Sequence, residues 1–225
     1  MIYLAKYLAR SVLVNKMLVN GDMALAHNVV VLDFETTGLS PDNGDRAIEI
    51  GAVKIVNGEM VDTFQSLMNP GKKVNTFIEQ YTGISNAMLR DAPSCQIVMN
   101  QFADFIGDFS LVAHNASFDK KFLDAELDYC QRDYKGQFAC SLLLSRRISL
   151  DAPNHKLATL VTYHQLPTEG LFHRALADAT MTAHLWLYQL ALIQQQAPHV
   201  ELTFDIINRL SRVPKAKINQ YLASL

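Results

Sequence analysis

The chain has 225 residues, of which 49% are hydrophobic and 19% are charged. This composition excludes a disordered or fibrous protein and suits one larger globular domain, or a domain with an appendage. With 20 basic and 22 acidic side chains the formal charge is −2, so no strong global field would steer the chain onto a polyanion. Its three cysteines include no CxxC pair, which argues against a disulfide framework or a thiolate zinc site and favours a cytoplasmic location.

Residues 1–27 are predicted to form an amphipathic helical extension. Apolar residues recur at near-helical spacing over residues 1–20, with Lys6, Arg10 and Lys16 among them. These charges keep every apolar run shorter than a signal peptide or a membrane span, so no membrane association is expected. Such a helix could instead dock a partner subunit or a second copy of the chain.

Three strands are expected after this extension, joined as a meander. Residues 29–32 are Val-Val-Val-Leu, an apolar run typical of a buried strand. Beyond a stretch of turn-forming residues, the patterns at 47–56 and 60–68 predict two further strands. They are separated by Asn57-Gly58, a dipeptide typical of hairpin turns.

The remainder of the chain alternates helices with strands. A helical pattern covers 76–107, an apolar strand is expected at 111–113, and Asn115 can cap the helix that follows. Apolar residues at i, i+3, i+7, i+10 and i+14 from Leu176 predict a long helix that ends near Pro198, with one or two short helices after it. This order predicts an α/β fold with a mixed central β-sheet flanked by α-helices.

Formal charge is unevenly distributed between the three predicted parts of the chain. The N-terminal extension (1–27) and a helical C-terminal tail (197–225) each carry +2, which leaves −6 for the main domain (28–196). An acidic main domain is typical of a carboxylate site that binds cations. Carboxylate oxygens without thiolates select hard cations such as Mg²⁺ or Mn²⁺.

Four carboxylates and one histidine form the candidate site. Asp33 and Glu35 stand at i and i+2 at the end of a strand, so both point to one face, where a divalent cation would relieve their repulsion. Asp119 follows the strand at 111–113, and Asp178 lies near the start of the long helix. Each acid taken singly could be solvated or a helix-dipole partner. His173 meets Asp178 only if it stands at or before the start of that helix.

Three segments of the main domain resemble the motifs of a known enzyme family. They are VLDFETTGL at 31–39, LVAHNASFD at 111–119 and HRALAD at 173–178, the last of which fits HxAxxD. In order and spacing they are similar to the DEDDh group of DnaQ-like 3′-to-5′ exonucleases, which includes the proofreading epsilon subunit of bacterial DNA polymerase III. The resemblance covers about residues 28–192. Within it, YTGI at 81–84 resembles the segment before the family's nucleotide-contacting helix.

The resemblance implies a ribonuclease H-like fold and an enzyme that releases nucleoside monophosphates from the 3′ end of DNA. Two divalent cations, Mg²⁺ or Mn²⁺, would be held by Asp33, Glu35, Asp119 and Asp178. His173 would be the general base that takes the proton from the attacking water, since imidazole titrates near neutral pH. The terminal nucleotide would contact Thr36, Thr37, Gly38, Tyr81, Thr82 and Phe118, although Phe118 could equally be a core residue.

Several alternatives stay open. An RNA-directed relative, similar to RNase T or oligoribonuclease, would share the motifs, because recognition of the 2′ hydroxyl leaves no mark in the sequence. A polymerase-associated subunit could act mainly through its flanking helices, either by docking a polymerase or as a homodimer. A phosphatase acting on small phosphoesters is disfavoured, since its usual nucleophile or histidine-rich metal set is missing. The expected ligand is a single-stranded or frayed 3′ end, with DNA preferred over RNA.

Overall fold

The computed structural model describes residues 22–168 and 173–225. The amphipathic helix predicted at 1–20 lies outside the described residues. In the described residues, helices cover both faces of a five-stranded mixed sheet, which confirms the predicted mixed sheet flanked by helices; the short fifth strand at Phe138–Cys140 was not located from the sequence. Among these residues no helix combines the length and apolar character needed to cross a membrane.

The sheet has the strand order β3-β2-β1-β4-β5. β1 pairs antiparallel with β2 and parallel with β4, so the sheet changes direction at its centre. β2 and β3 are antiparallel neighbours, and β4 and β5 are parallel. The strands are β1 (Val29–Thr36), β2 (Ala47–Val56), β3 (Glu59–Leu67), β4 (Ser110–Ala113) and β5 (Phe138–Cys140).

Helices follow and separate the later strands. Short 3₁₀ turns occur at Asp22–Ala24, Pro41–Asn43 and Lys215–Lys217. The α-helices are α1 (Thr76–Thr82), α2 (Asn86–Asp91), α3 (Cys95–Ile106), α4 (Ser117–Tyr129), α5 (Ser141–Ile148), α6 (Leu157–Tyr163), α7 (Ala175–Gln196), α8 (Phe204–Leu210) and α9 (Ile218–Ala223).

The predicted meander of β1, β2 and β3 is confirmed. Asn57 and Gly58 take positive φ angles of 52° and 80°, which a two-residue hairpin turn of this kind requires. β1 is buried along most of its length, as its apolar run predicted. Glu35 on β1 lies directly opposite Glu49 on β2, and Asp33 lies opposite Gly51.

Alternate residues of β1 enter two separate cores. Val30 and Leu32 pack with the apolar faces of α3 and α4 on one side of the sheet. Val29 and Val31 pack with α7, α8 and α9 on the other side. The C-terminal helices therefore share a hydrophobic core with the main domain, while the division of the chain at residue 196 stays a prediction.

The structure divides one predicted helical region into separate helices and corrects one predicted helix cap. The helical pattern over 76–107 forms three helices, because Gly83 ends α1 in a left-handed conformation and Pro93 follows α2. Asn115 does not cap α4; it takes a positive φ of 66°, which asparagine tolerates, and Ala116 occupies the cap position. Asp119 still lies in the first turn of α4.

Candidate active site

Asp33 and Glu35 occupy the face of β1 that α7 covers. They continue the alternation of Val29 and Val31, whose side chains lie in the α7 core. Gly51, opposite Asp33, lets the start of α7 approach the strand backbone. A Cβ at Gly51 would clash with the backbone N of Leu176 and the carbonyl carbon of Ala175.

His173 stands immediately before α7, as its convergence with Asp178 requires. Its backbone takes a positive φ of 63°, and its N–H donates to Asp178 Oδ2 at 2.8 Å. The turn at 173–174 therefore places the imidazole and the carboxylate of Asp178 side by side. The ligand atoms of Glu35, His173 and Asp178 all lie within 4.8 Å of one another.

Asp119 reaches the site from the opposite side of β1. It is buried in the first turn of α4, and its Oδ1 accepts a hydrogen bond of 3.1 Å from the backbone N–H of Phe34. Its charge is the largest electrostatic contribution to the raised pKa of Asp33, after burial. β1 thus brings Asp33 between the carboxylates of α4 and α7.

Burial and mutual repulsion disfavour ionisation of these acids. Burial raises the pKa of Glu35 to about 8, and the charges of Asp178 and Glu49 add to the shift. Burial also raises the pKa of Asp119 to about 7, against the hydrogen bond from Phe34, and holds the pKa of Asp33 well above its usual range. At neutral pH these acids can therefore all be ionised together only when positive charge is added to the site. Oxygen donors with this requirement fit divalent cations.

All eleven residues predicted to form the site line one cavity of about 670 Å³. The cavity lies at the carboxyl end of β1 and beside the starts of α4 and α7. Their individual roles stay predictions. The eleven are Asp33, Glu35, Thr36, Thr37, Gly38, Tyr81, Thr82, Phe118, Asp119, His173 and Asp178.

The three threonines among the predicted nucleotide contacts already donate hydrogen bonds within the protein. The hydroxyl of Thr36 donates to Gly38 O at 2.6 Å, and that of Thr37 to Asp45 Oδ1 at 3.2 Å, so both shape the loop after β1. The hydroxyl of Thr82 donates to the Ile78 carbonyl at 2.8 Å. Any contribution of these hydroxyls to nucleotide binding would add to their structural roles.

Aromatic side chains form one wall of the cavity. The ring of Tyr81 lies 4.0 Å from the imidazole of His173 and is stacked with Phe77 at 5.9 Å, measured between ring centroids. Tyr81 is 50% exposed and Phe77 67% exposed. Phe118 was expected to be either a nucleotide contact or a core residue. Its ring lines the cavity and also packs on Phe122 at a centroid distance of 5.0 Å.

Sequence reasoning missed several residues of this cavity. Leu39 and Phe77 are large apolar side chains left 82% and 67% exposed at its mouth. A leucine inside a turn-rich segment was the available signal for Leu39. His114 also lines the cavity, where its ring bonds Ser141 Oγ at 2.8 Å and the His155 carbonyl at 2.9 Å. Burial lowers the pKa of His114 to about 4, so its ring is neutral near pH 7.

Sequences of known proteins match most of the chain. A family model described as Exonuclease matches residues 30–186. The chain is 38% identical over 174 residues to the PolC-type DNA polymerase III of Caldanaerobacter subterraneus subsp. tengcongensis, and 41% identical over 166 residues to that of Thermotoga maritima. The two matches cover 77% and 70% of this chain but 12% and 11% of the relatives. The chain thus corresponds to a small part of these polymerases.

Two solved structures share the fold. Exonuclease X in complex with 5′ overhanging duplex DNA has a TM-score of 0.63 and 24% identity, covering 81% of this chain and 99% of that one. The nuclease domain of 3′hExo, a DEDDh family member bound to rAMP, has a TM-score of 0.61 and 22% identity, covering 73% and 92%. The expected ribonuclease H-like fold is confirmed.

The family match includes all three motifs, at 31–39, 111–119 and 173–178. The resemblance to DnaQ-like exonucleases, and with it the expectation of an enzyme, is therefore confirmed. The chain belongs to the exonuclease family.

Proposed function

We propose that the chain is a metal-dependent 3′-to-5′ exonuclease that hydrolyses the terminal phosphodiester bond of DNA and releases nucleoside monophosphates. The observation that carries this proposal is the convergence of Asp33, Glu35, Asp119 and Asp178 with His173 in one cavity of a member of the exonuclease family.

Two divalent cations, Mg²⁺ or Mn²⁺, complete the proposed site. The cations would be held by Asp33, Glu35, Asp119 and Asp178. The raised pKa values of Asp33, Glu35 and Asp119 support this proposal, because bound cations would stabilise the ionised carboxylates. Bound cations would supply an activated water and stabilise the charge that develops at phosphorus.

His173 is the proposed general base. Its backbone is fixed by the hydrogen bond to Asp178, while its exposed imidazole faces the cavity. The neighbouring carboxylates of Glu35 and Asp178 would stabilise the imidazolium that forms when the ring accepts a proton from the attacking water. Contact with the Tyr81 ring restricts the orientation of the imidazole.

The cavity suits one terminal nucleotide and the bases next to it. Its volume lies within the range of small-ligand sites. Exposed faces of Phe77 and Tyr81 offer stacking surfaces for a base, a mode of binding that needs little sequence preference. The loop of Thr36, Thr37 and Gly38, with Thr82 and Phe118, would contact the sugar and phosphate.

DNA is the proposed substrate because the relatives that match at 38% and 41% identity are named as DNA polymerases. RNA is the alternative, since the similar 3′hExo domain is bound to rAMP and another structural neighbour recognises the 3′ end of a histone mRNA stem-loop. We further propose that the chain serves a replicative polymerase in the cytoplasm. A homodimer is the alternative assembly.

Two single variants test the assigned roles. Asp178→Ala is expected to abolish hydrolysis and weaken Mn²⁺ binding, because it removes a ligand. His173→Ala is expected to leave Mn²⁺ binding largely intact but to lower kcat by roughly 10²-fold or more, the usual contribution of a general base. Kinetics on a labelled oligonucleotide and calorimetric titration with Mn²⁺ measure the two effects. His199→Ala, at an exposed histidine, is the control.

An equal loss of Mn²⁺ affinity in Asp178→Ala and His173→Ala would contradict the separation of ligand and base. Full activity in His173→Ala would contradict the mechanism.

A further inference from the structure

Glu49 is a fifth carboxylate beside the site. It lies directly opposite Glu35 in the antiparallel pairing of β1 and β2, so both side chains are on the face that α7 covers. Glu49 is 0% exposed, and a buried carboxylate is stable only when its oxygens are paired. The donors that bind its two oxygens therefore indicate the role of Glu49.

Both oxygens of Glu49 bind donors from the start of α7. Oε1 accepts from Arg174 Nη2 at 2.8 Å, and Oε2 accepts from Arg174 Nε at 3.2 Å and from the backbone N–H of Ala175 at 3.1 Å. Gln65 Nε2 donates to Oε1 at 3.0 Å. The guanidinium contact is a two-point fork, which fixes orientation as well as distance.

The residues held by Glu49 directly follow His173. A positive φ at a non-glycine residue such as His173 is strained and persists only when the surrounding structure holds it. The hydrogen bond to Asp178 is made by the N–H of this same strained residue. The pairing of Glu49 with Arg174 and Ala175 therefore anchors the turn that carries His173 and the start of α7, whose first turn carries Asp178.

We propose that Glu49 is a positioning residue: through Arg174 and the Ala175 N–H it holds the imidazole of His173 and the carboxylate of Asp178 in their active arrangement. The inference rests on the proposed exonuclease function. We do not expect Glu49 itself to touch the substrate, because its oxygens are already occupied by protein donors.

Glu49→Gln tests the proposal, because it keeps the size of the side chain and removes the charge that Arg174 requires. We expect kcat on a 3′-labelled DNA oligonucleotide to fall by roughly tenfold or more with KM changed less than about threefold, since small displacements of catalytic groups reduce turnover strongly. Arg174→Lys should show a similar loss, because an ammonium keeps the charge but cannot form the fork.

Glu126→Gln is a matched control. Glu126 is 1% exposed and accepts a fork from Arg46, with both bonds at 2.8 Å, and a backbone N–H from Ala47 at 3.1 Å. Loss of this pair should lower the melting temperature about as much as Glu49→Gln does. Its kcat, measured on folded protein, should stay within about threefold of the parent, since it does not anchor the His173 turn.

Amide hydrogen exchange provides a readout that does not depend on activity. In Glu49→Gln the amides of residues 174–178 should exchange roughly tenfold faster or more, whereas Glu126→Gln should leave them unchanged. Unchanged exchange at these amides, or equal kcat in the two variants, would overturn the positioning role. An inactive parent with faster exchange in Glu49→Gln would contradict the proposed function and leave the anchoring of the turn supported.

Discussion

At two acidic residues of the site, folding and the proposed chemistry favour opposite states of ionisation. Glu35 and Asp119 are placed where burial disfavours their ionised forms, yet the proposed chemistry uses them as anions. Such placement is typical of functional sites, where perturbed pKa values are concentrated. Bound cations would reconcile the two requirements.

The raised pKa values predict how stability depends on pH. Folding raises the pKa of Glu35 from 4.5 to about 8 and that of Asp119 from 3.8 to about 7. At pH values between the unfolded and the folded pKa of each group, the folded state binds more protons than the unfolded state. The free energy of unfolding therefore decreases as pH rises through this range. In EDTA we expect the melting temperature to fall from about pH 6.5 to about pH 8.5, and added Mn²⁺ to restore most of the loss.

Glu35→Gln is the control for this prediction, because its side chain cannot ionise. Its melting temperature in EDTA should vary less with pH over the same window. An identical slope in the variant and the parent would contradict the assignment. Measurements below about pH 6.5 are avoided because the lowered pKa of His114 makes stability fall there as pH falls.

The sequence was sufficient to identify the motif residues but not their supports. Asp33, Glu35, Asp119, His173 and Asp178 stand in short segments with fixed spacing, so each could be found without the fold. Glu49 could not, because its role depends on the register of β1 against β2 and on the approach of α7. Phe77 was missed for the same reason, since only the folded chain brings it to the cavity.

At the level of secondary-structure elements, the contact between β2 and α7 sets the geometry of the site. Gly51 permits the close approach, and Glu49 two residues earlier binds the same helix start. β1, β2, β3 and α7 were predicted well because their apolar patterns are long and regular, whereas the three-residue β5 was not located from the sequence. Helix ends were predicted less well: Asn115 was expected to cap α4, but a local preference for a left-handed conformation placed it one residue outside the cap.

Gly51→Ala should separate α7 from β2. The added methyl group would meet the backbone of Ala175 and Leu176, which cannot rotate away as a side chain could. We expect a loss of at least about 2 kcal/mol in the free energy of unfolding. We also expect a lower kcat, because His173 and Asp178 would move with the start of α7. Urea denaturation and kcat on a labelled oligonucleotide measure the two effects.

Gly71→Ala is the corresponding control. Gly71 has a φ of 73°, and nothing lies within 4 Å of the position that a Cβ would take there, so alanine should cost only about 1–2 kcal/mol for the left-handed conformation and leave kcat unchanged. A Gly51→Ala protein with the stability and turnover of the parent would show that α7 does not depend on this contact.

The C-terminal helices complete one of the two hydrophobic cores that flank the sheet. Phe204 of α8 is buried against Trp186 of α7, at a centroid distance of 5.9 Å, and Trp186 Nε1 donates to the Ala26 carbonyl at 2.9 Å. Apolar periodicity predicted short helices in this segment. It could not show that they pack under the sheet, because that depends on tertiary contacts.

Phe204→Ala should therefore destabilise the protein although it lies outside the matched exonuclease segment. We expect the free energy of unfolding to fall by about 3–5 kcal/mol, as for other buried phenylalanines. Ile97→Ala, at a side chain that is 53% exposed, should change it by less than about 1 kcal/mol. Chemical denaturation compares the two, and equal effects would contradict a shared core.

In the proposed function, one carboxylate site removes nucleotides from a 3′ end with the help of divalent cations. The most direct test incubates the purified protein with 5′-labelled single-stranded DNA and RNA of the same sequence, in Mn²⁺, in Mg²⁺ and in EDTA, beside Asp178→Ala. We expect a ladder that shortens from the 3′ end, requires the metal, is absent in the variant and favours DNA over RNA. Absence of cleavage under every condition, or cleavage that persists in EDTA or in Asp178→Ala, would contradict it.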